Sequence, residues 1–171
     1  CFAELYHWRD GVGPRAQRPR GVNRAWGDEP ETNGFGSHEF MDLVEQIGAK
    51  AFLSVNLASG SPAEAQAWLH YLTDPASSGA GAERARNGRE QPFAVPYIGI
   101  GNENWGCGGN YDAATYAREY RRYATMLRHV DPTAELVLCG HTDAWNAEVL
   151  ATLGQHLPLA DHLSIHCYWI R

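Results

Sequence analysis

The apolar residues of this chain switch spacing at regular intervals, and that alternation restricts the fold more than any other feature. Phe40, Leu43, Val44 and Ile47 recur at helical spacing, with Ser37 placed to cap the start and Gly48 to close the end. The run AFLSVN at 51–56 then has the length and apolar content of a buried strand. Ser61-Pro62 opens a second helix, with Trp68, Leu69 and Leu72 on its apolar face. VPYIGIG at 95–101 is the next strand, and Asp112 caps a long helix carrying Tyr116, Tyr120, Tyr123, Leu127 and Val130. Asp131-Pro132 stops that helix. ELVLCG at 135–140 predicts a strand, about 143–153 a helix, and HLSIHCYW at 162–169 a strand.

Helix and strand therefore alternate four times, which is the pattern of a parallel sheet covered by helices. Periodicity does not separate a doubly wound open sheet from a (β/α)8 barrel. The strand ends bear on that choice. They finish on Asn56, on Asn102-Glu103, on Gly140-His141, and on His166 with Tyr168. Polar groups at the C-terminal ends of parallel strands mark the functional face in both folds. In a barrel Asn56, Glu103, His141 and His166 all open onto one mouth. Two stretches lack a clear period: residues 1–36, rich in Gly, Pro, Arg and Trp, and the long connection 74–94, where GAERARNG suggests a helical turn.

Charge and length exclude some functions. A net charge of −6 is a poor match to nucleic acid, which needs a concentrated basic surface. The basic cluster of Arg15, Arg18, Arg20 and Arg24 reads as a solvated or paired face before it reads as a phosphate site. No apolar run reaches the roughly 18 residues of a membrane span, so no membrane role is expected. Cys1, Cys107, Cys139 and Cys167 show no metal-binding or disulfide-framework spacing. Free thiols, a reducing compartment and a cytoplasmic location are expected from them. The start at Cys1, without an initiator Met, reads as a cut chain.

Glu103 is the strongest candidate for chemistry. A carboxylate just past a buried strand can be held in a partly desolvated cleft, where it can donate and later recover a proton. Asn102 beside it can bond a substrate hydroxyl. The bland alternative is a glutamate in a solvated loop or paired with an arginine. Gly99-x-Gly101 invites a dinucleotide-binding reading, but the third glycine of that motif would fall at Asn104 and is missing. His166 and Tyr168, two apart on a predicted strand, share a face. His7, His38, His141 and His166 lack zinc-site spacing, so no metal is expected. Trp8, Trp26 and Trp105 suit sugar stacking as well as core packing.

These residues sit within CFAELYHWRDGVGPR (1–15), NRAWG (23–27), AVPYIGIGNENWG (94–106) and IHCYW (165–169), and in that order they resemble glycoside hydrolase family 51, the α-L-arabinofuranosidases. The resemblance implies a (β/α)8 TIM barrel, of which this chain would run from about the end of strand two through strand six. It implies that residues 1–171 are a partial catalytic domain, with the family's C-terminal β-sandwich absent. Carried over by position, Glu103 is the general acid/base of a retaining hydrolase and Asn102 a ligand of the sugar 2-hydroxyl. Cys1, standing where many members have Asn, contacts the arabinose, and Trp26 lines the pocket. His166 and Tyr168 form the strand-six pair. The nucleophile glutamate, at the end of strand seven, lies outside these residues, so the chain alone is expected to be inactive.

The implied reaction needs no cofactor, and the implied partner is an arabinose-containing oligosaccharide or polysaccharide such as arabinan or arabinoxylan. A homo-oligomer is compatible with the full-length enzyme. Two alternatives remain from sequence: another retaining barrel glycosidase acting on xylosides or β-glucans, and a non-catalytic carbohydrate-binding remnant.

Overall fold

The computed structural model describes residues 5–169, so Cys1 lies outside the described residues. The chain opens with single turns of 3-10 helix at Trp8–Gly11 and Arg15–Gln17. Then β1 (Gly21–Asn23) and β2 (Glu29–Glu31) form a small antiparallel hairpin, bridged by a 3-10 turn at Arg24–Trp26. This segment was expected to be irregular. Strands of three residues, exposed and interrupted by Pro30, are too short to show a period.

Three of the four arginines of the cluster, Arg15, Arg18 and Arg24, are paired with carboxylates. Arg18 is buried and donates to both Glu39 carboxylate oxygens, to Gly13 O and to Asn33 O. Arg15 adds a bond to Glu39, and Arg24 lies 3.6 Å from Asp28. Glu39 also accepts from Gly36 N–H, so α1 (Ser37–Gln46) is capped at Gly36, one residue before the Ser37 cap expected.

The body of the chain is a four-stranded sheet of β3 (Phe52–Val55), β4 (Tyr97–Ile100), β5 (Glu135–Leu138) and β6 (His162–Leu163). Each strand runs parallel to the one before it, and spatial order equals chain order. A doubly wound sheet reverses its strand order at a switch point. This sheet has no reversal, and a consecutive parallel arc is the geometry of a barrel wall. The connections are α2 (Pro62–Thr73) with α3 (Gly79–Arg86), then α4 (Ala113–Val130), then α5 (Asp143–Leu153). Among the described residues, β3 and β6 have no strand on their outer edges.

One face of the sheet packs on the helices. Leu53, Val55, Ile98, Ile100, Leu136 and Leu138 are buried there against Leu69, Leu72, Ala117, Leu127 and Val149. The opposite, concave face carries Phe52, Ser54, Gly99 and Val137. Phe52 is 46% exposed on that face, a large ring with no opposing layer.

The long connection 74–94 is organised by one cation. Arg84, fully buried on α3, donates to the carbonyls of Tyr71, Asp74, Arg89 and Glu90. Its charge is met by four carbonyl dipoles, and the loop wraps around it.

The tyrosines of α4 fasten the C-terminal ends of the strands. Tyr116 donates to Ile100 O at 2.9 Å and accepts from Cys139 N–H at 2.7 Å, joining the ends of β4 and β5. Tyr123 donates to Asn56 O just past β3, and Tyr120 to Leu159 O. The helix thereby fixes the edge from which the polar strand-end residues project.

The strand expected over 162–169 is shorter. The ladder ends at Leu163, and only Ser164 N–H continues it, to Leu138 O. Residues 165–169, beyond that point, belong to no helix or strand.

Candidate active site

Because β3 to β6 are all parallel, Asn56, Glu103, His141 and His166 lie at one edge of the sheet. They share that edge, but Asn56 lines a different hollow from the one at Asn102 and His166. Their side chains do different work. The Asn56 amide is used by its own loop, donating to Tyr6 O and Ser59 Oγ and accepting from Ser59 N–H. It is a loop organiser.

The turn after β4 presents Glu103. Gly101 leaves the strand with φ of +79°, and the Asn104 side chain lies against it. Asn104 is buried, donating from Nδ2 to Gly108 O at 2.6 Å and accepting from Tyr111 N–H at its carbonyl. Glu103 takes a φ of +47°, a left-handed conformation costing a non-glycine residue about 1 kcal/mol. The N–H groups of Gly106 and Gly108 both bond its carbonyl at 3.0 Å and hold it there. Strain kept in place by surrounding bonds is characteristic of functional loops. The Gly-x-Gly sequence thus serves a tight turn filled by Asn104.

The Glu103 side chain is 14% exposed and His166 is 18% exposed, and they meet at 3.2 Å through Oε1 and Nδ1. The other ring nitrogen of His166 lies 3.2 Å from Ser164 Oγ, which accepts from Gly140 N–H at 3.3 Å. Trp105 stacks flat on His141, with centroids 4.1 Å apart and planes 4° apart, and sets its edge against His166 at 5.0 Å. One indole therefore links the ends of β5 and β6 beside the carboxylate. Asn102 lines the same concave surface with Ser54, Gly101, Cys139, Ser164 and His166.

Trp26 lies in the turn of the β1–β2 hairpin, about half exposed, and Tyr168 is 71% exposed in the segment after β6. Cys1, named with them from sequence, falls outside the described residues.

The free-thiol expectation needs correction. Cys107 is disulfide-bonded, whereas Cys139 and Cys167 are free. Cysteine spacing along a chain does not reveal which sulfurs a fold brings together, so sequence gave no sign of it. The Cys107 sulfur lies 3.5 Å from Glu103 Oε2 and, as a disulfide, has no proton to donate there. Burial pushes the Cys139 thiol up, so it is a packing residue and not a nucleophile. Among the described residues no three His, Cys, Asp or Glu side chains group as a metal site, and no helix is long and apolar enough to cross a membrane.

An acid close to a sheet end, a histidine bonded to it and flanking aromatic rings are gathered here. Residues 1–169 match the α-L-arabinofuranosidase 1 domain. A crystal structure of the family 51 arabinofuranosidase from Xanthomonas axonopodis pv. citri is 40% identical, with a TM-score of 0.87 over 95% of this chain. The chain belongs to the α-L-arabinofuranosidases of glycoside hydrolase family 51.

The intracellular exo-α-L-arabinofuranosidase of Bacteroides ovatus is 38% identical over 99% of this family 51 chain. The Thermotoga maritima α-L-arabinofuranosidase, solved as an arabinose complex, is 36% identical over 87% of it, with a TM-score of 0.82. The chain spans about a third of the length of each of these relatives: 33% of the Xanthomonas and Bacteroides proteins and 31% of the Thermotoga one. Membership also settles the fold in favour of the TIM barrel, as strand order indicated.

Sequence reasoning did not single out Ser164 or Asn104 in this family 51 site. The Ser-x-His spacing at 164–166 was the available signal for the first. Asn104 is a buried amide inside a loop, and periodicity has nothing to say about loops.

Proposed function

We propose that these residues are the middle of the catalytic barrel of a retaining α-L-arabinofuranosidase, with Glu103 as general acid/base. The observation that supports it most is the Glu103–His166 contact at 3.2 Å, made across the C-terminal ends of β4 and β6 in a family 51 chain. Protonated Glu103 gives its proton to the leaving glycosidic oxygen. A second carboxylate, about 5–5.5 Å away in retaining enzymes, attacks the anomeric carbon as the bond to the leaving oxygen breaks. Glu103, now a carboxylate, takes a proton from water, and the resulting hydroxide oxygen displaces the enzyme carboxylate to release the sugar. The chemistry uses two carboxyl groups and water.

In this reading the nucleophile belongs to a strand beyond β6, and the described sheet is half of the eight strands a closed barrel needs. Residues 1–171 are then a partial catalytic domain, with a β-sandwich further along the polypeptide. The substrate is a terminal arabinofuranosyl group on an oligosaccharide or polysaccharide. Support comes from the names of the relatives and from the arabinose bound by the Thermotoga protein. Asn102 holds the 2-hydroxyl, and Trp26 and Tyr168 line the sugar pocket. A cytoplasmic location has the intracellular Bacteroides relative in its favour, while the Cys107 disulfide removes the thiol argument for it.

The test is a panel of aryl glycosides given to the full-length enzyme. Hydrolysis of the α-L-arabinofuranoside, with little on β-xylosides or β-glucosides, is expected. Turnover confined to xylosides or glucosides would reassign the substrate. Tight binding of arabino-oligosaccharides with no turnover would leave a binding module.

A further inference from the structure

The ring of His166 is held at both nitrogens, and the order of the bonds assigns its proton. Ser164 Oγ accepts from Gly140 N–H with one lone pair, and its hydroxyl proton can be given to His166 Nε2 at 3.2 Å. With Nε2 accepting, the proton of a neutral ring sits on Nδ1 and points to Glu103 Oε1. The reverse tautomer fails on two counts. It leaves the Ser164 hydroxyl proton without the ring as acceptor, and it sets a ring lone pair against a carboxylate oxygen whenever Glu103 is charged.

Backbone geometry fixes Ser164 in this role. Its N–H bonds Leu138 O at 2.8 Å, and Gly140 passes so close that a Cβ there would lie 2.1 Å from Ser164 O. Only a glycine lets the end of β5 deliver an N–H to the Ser164 hydroxyl. The Trp105 edge against the ring keeps it from swinging out of line.

We propose that Ser164 is a positioning residue that fixes His166 as the Nδ1–H tautomer and thereby assigns the two oxygens of Glu103 different tasks. The proposal rests on the acid/base reading of Glu103. Oε1 accepts from His166 in both half-reactions, so the transferable proton is carried on Oε2. In the first half the Oε2–H bond breaks as the leaving oxygen gains that proton. In the second, Oε2 takes a proton from water. The same tautomer serves both steps, and the ring never has to turn.

The experiment is a comparison of Ser164→Ala, Ser164→Thr and Glu103→Ala in the full-length enzyme, on arabinosides with poor leaving groups and on aryl arabinofuranosides with good ones. Loss of one buried hydrogen bond corresponds to about tenfold, so Ser164→Ala should lower kcat about tenfold on the poor leaving groups with KM unchanged. On good leaving groups, which need little protonation, the change should stay below about twofold. Ser164→Thr, which keeps the hydroxyl, should restore most of the difference. In a His166→Gln background, Ser164→Ala should add nothing, because its effect passes through the ring.

Equal losses on both substrate classes, or a further loss in the His166→Gln background, would overturn the proposal. If Ser164→Ala does not fold, Ser164→Cys, a weaker donor of similar size, is read in the same way. Should Glu103→Ala itself show no leaving-group dependence, the acid/base reading fails. Should Glu103→Ala show it and Ser164→Ala not, only the positioning role fails.

Discussion

The Gly101 backbone lies directly against the Asn104 side chain: a Cβ at position 101 would stand 2.1 Å from Asn104 Oδ1. Gly101 also has a φ of +79°. Any side chain there meets both a clash and a strained backbone, and Asn104 cannot yield without giving up its bond to Gly108 O. Gly101→Ala is therefore expected to destabilise the protein by about 1–3 kcal/mol and to displace Glu103. Urea unfolding measures the first effect and kcat the second. A variant with the parent's midpoint and activity would show that the loop is not held by this packing.

Tyr116 offers a second test of how the site edge is held. Its hydroxyl joins Ile100 O and Cys139 N–H inside the core. Tyr116→Phe leaves a buried carbonyl and a buried N–H without this partner, at a cost of about 1–3 kcal/mol. The unfolding midpoint should fall accordingly, and amide hydrogen exchange at Cys139 should accelerate. Unchanged protection there would mean that the strand ends hold themselves.

Acid should weaken the α1 anchor. Burial alone would raise the Glu39 carboxyl, but bonds from Arg18, Arg15 and the Gly36 N–H outweigh it and hold it at about 2. The folded value lies below the ordinary 4.5, so the stabilisation is complete above 4.5 and is lost as pH falls from 4.5 through about 2. With Glu39 mostly buried, the loss is on the order of 3 kcal/mol. Stability measured across that window should fall less in Glu39→Gln, which cannot titrate. The same slope in both proteins would assign the acid loss elsewhere.

The fold was readable where burial imposes a period. The runs at 51–56, 95–101 and 135–140 contain β3, β4 and β5, and the helix expected at about 143–153 is α5. Open sheet and barrel could not be separated from periodicity, because both bury the same alternating runs; the consecutive strand order separates them. The predicted strand at 162–169 was too long for a physical reason. His162 to Trp169 alternate like a strand, but a ladder needs a neighbouring strand, and β5 ends at Leu138, so pairing stops with Leu163 and the Ser164 N–H. The β1–β2 hairpin left no trace in the sequence, since its six residues are mostly exposed.

Of the site, Glu103 and His166 were visible as polar residues at the ends of apolar runs, and their contact at 3.2 Å is where the fold adds information. The Cys107 disulfide and the Gly140–Ser164 contact depend on which segments meet in space. No spacing along the chain encodes that.

The 171-residue chain by itself should show no hydrolase activity. The described sheet has two open edges and exposes Phe52 on its concave face, which favours association over a rigid monomer. In the proposed mechanism it also lacks the second carboxylate, and no glycosyl-enzyme can form without it. The check is purification of the chain, confirmation of its mass, and an assay on an aryl α-L-arabinofuranoside. A soluble, cooperatively folded and active monomer would contradict the placement of the nucleophile beyond β6.

The acid/base role of Glu103 is tested most directly by Glu103→Ala in the full-length enzyme, assayed with and without azide. Natural arabinosides, whose leaving groups need a proton, should be cleaved at least about a hundredfold more slowly. Aryl arabinosides with good leaving groups should still form the glycosyl-enzyme, and azide should restore turnover by attacking it without base assistance, giving the arabinofuranosyl azide with retained configuration. Equal loss on both substrate classes, with no azide product, would contradict the assignment of Glu103.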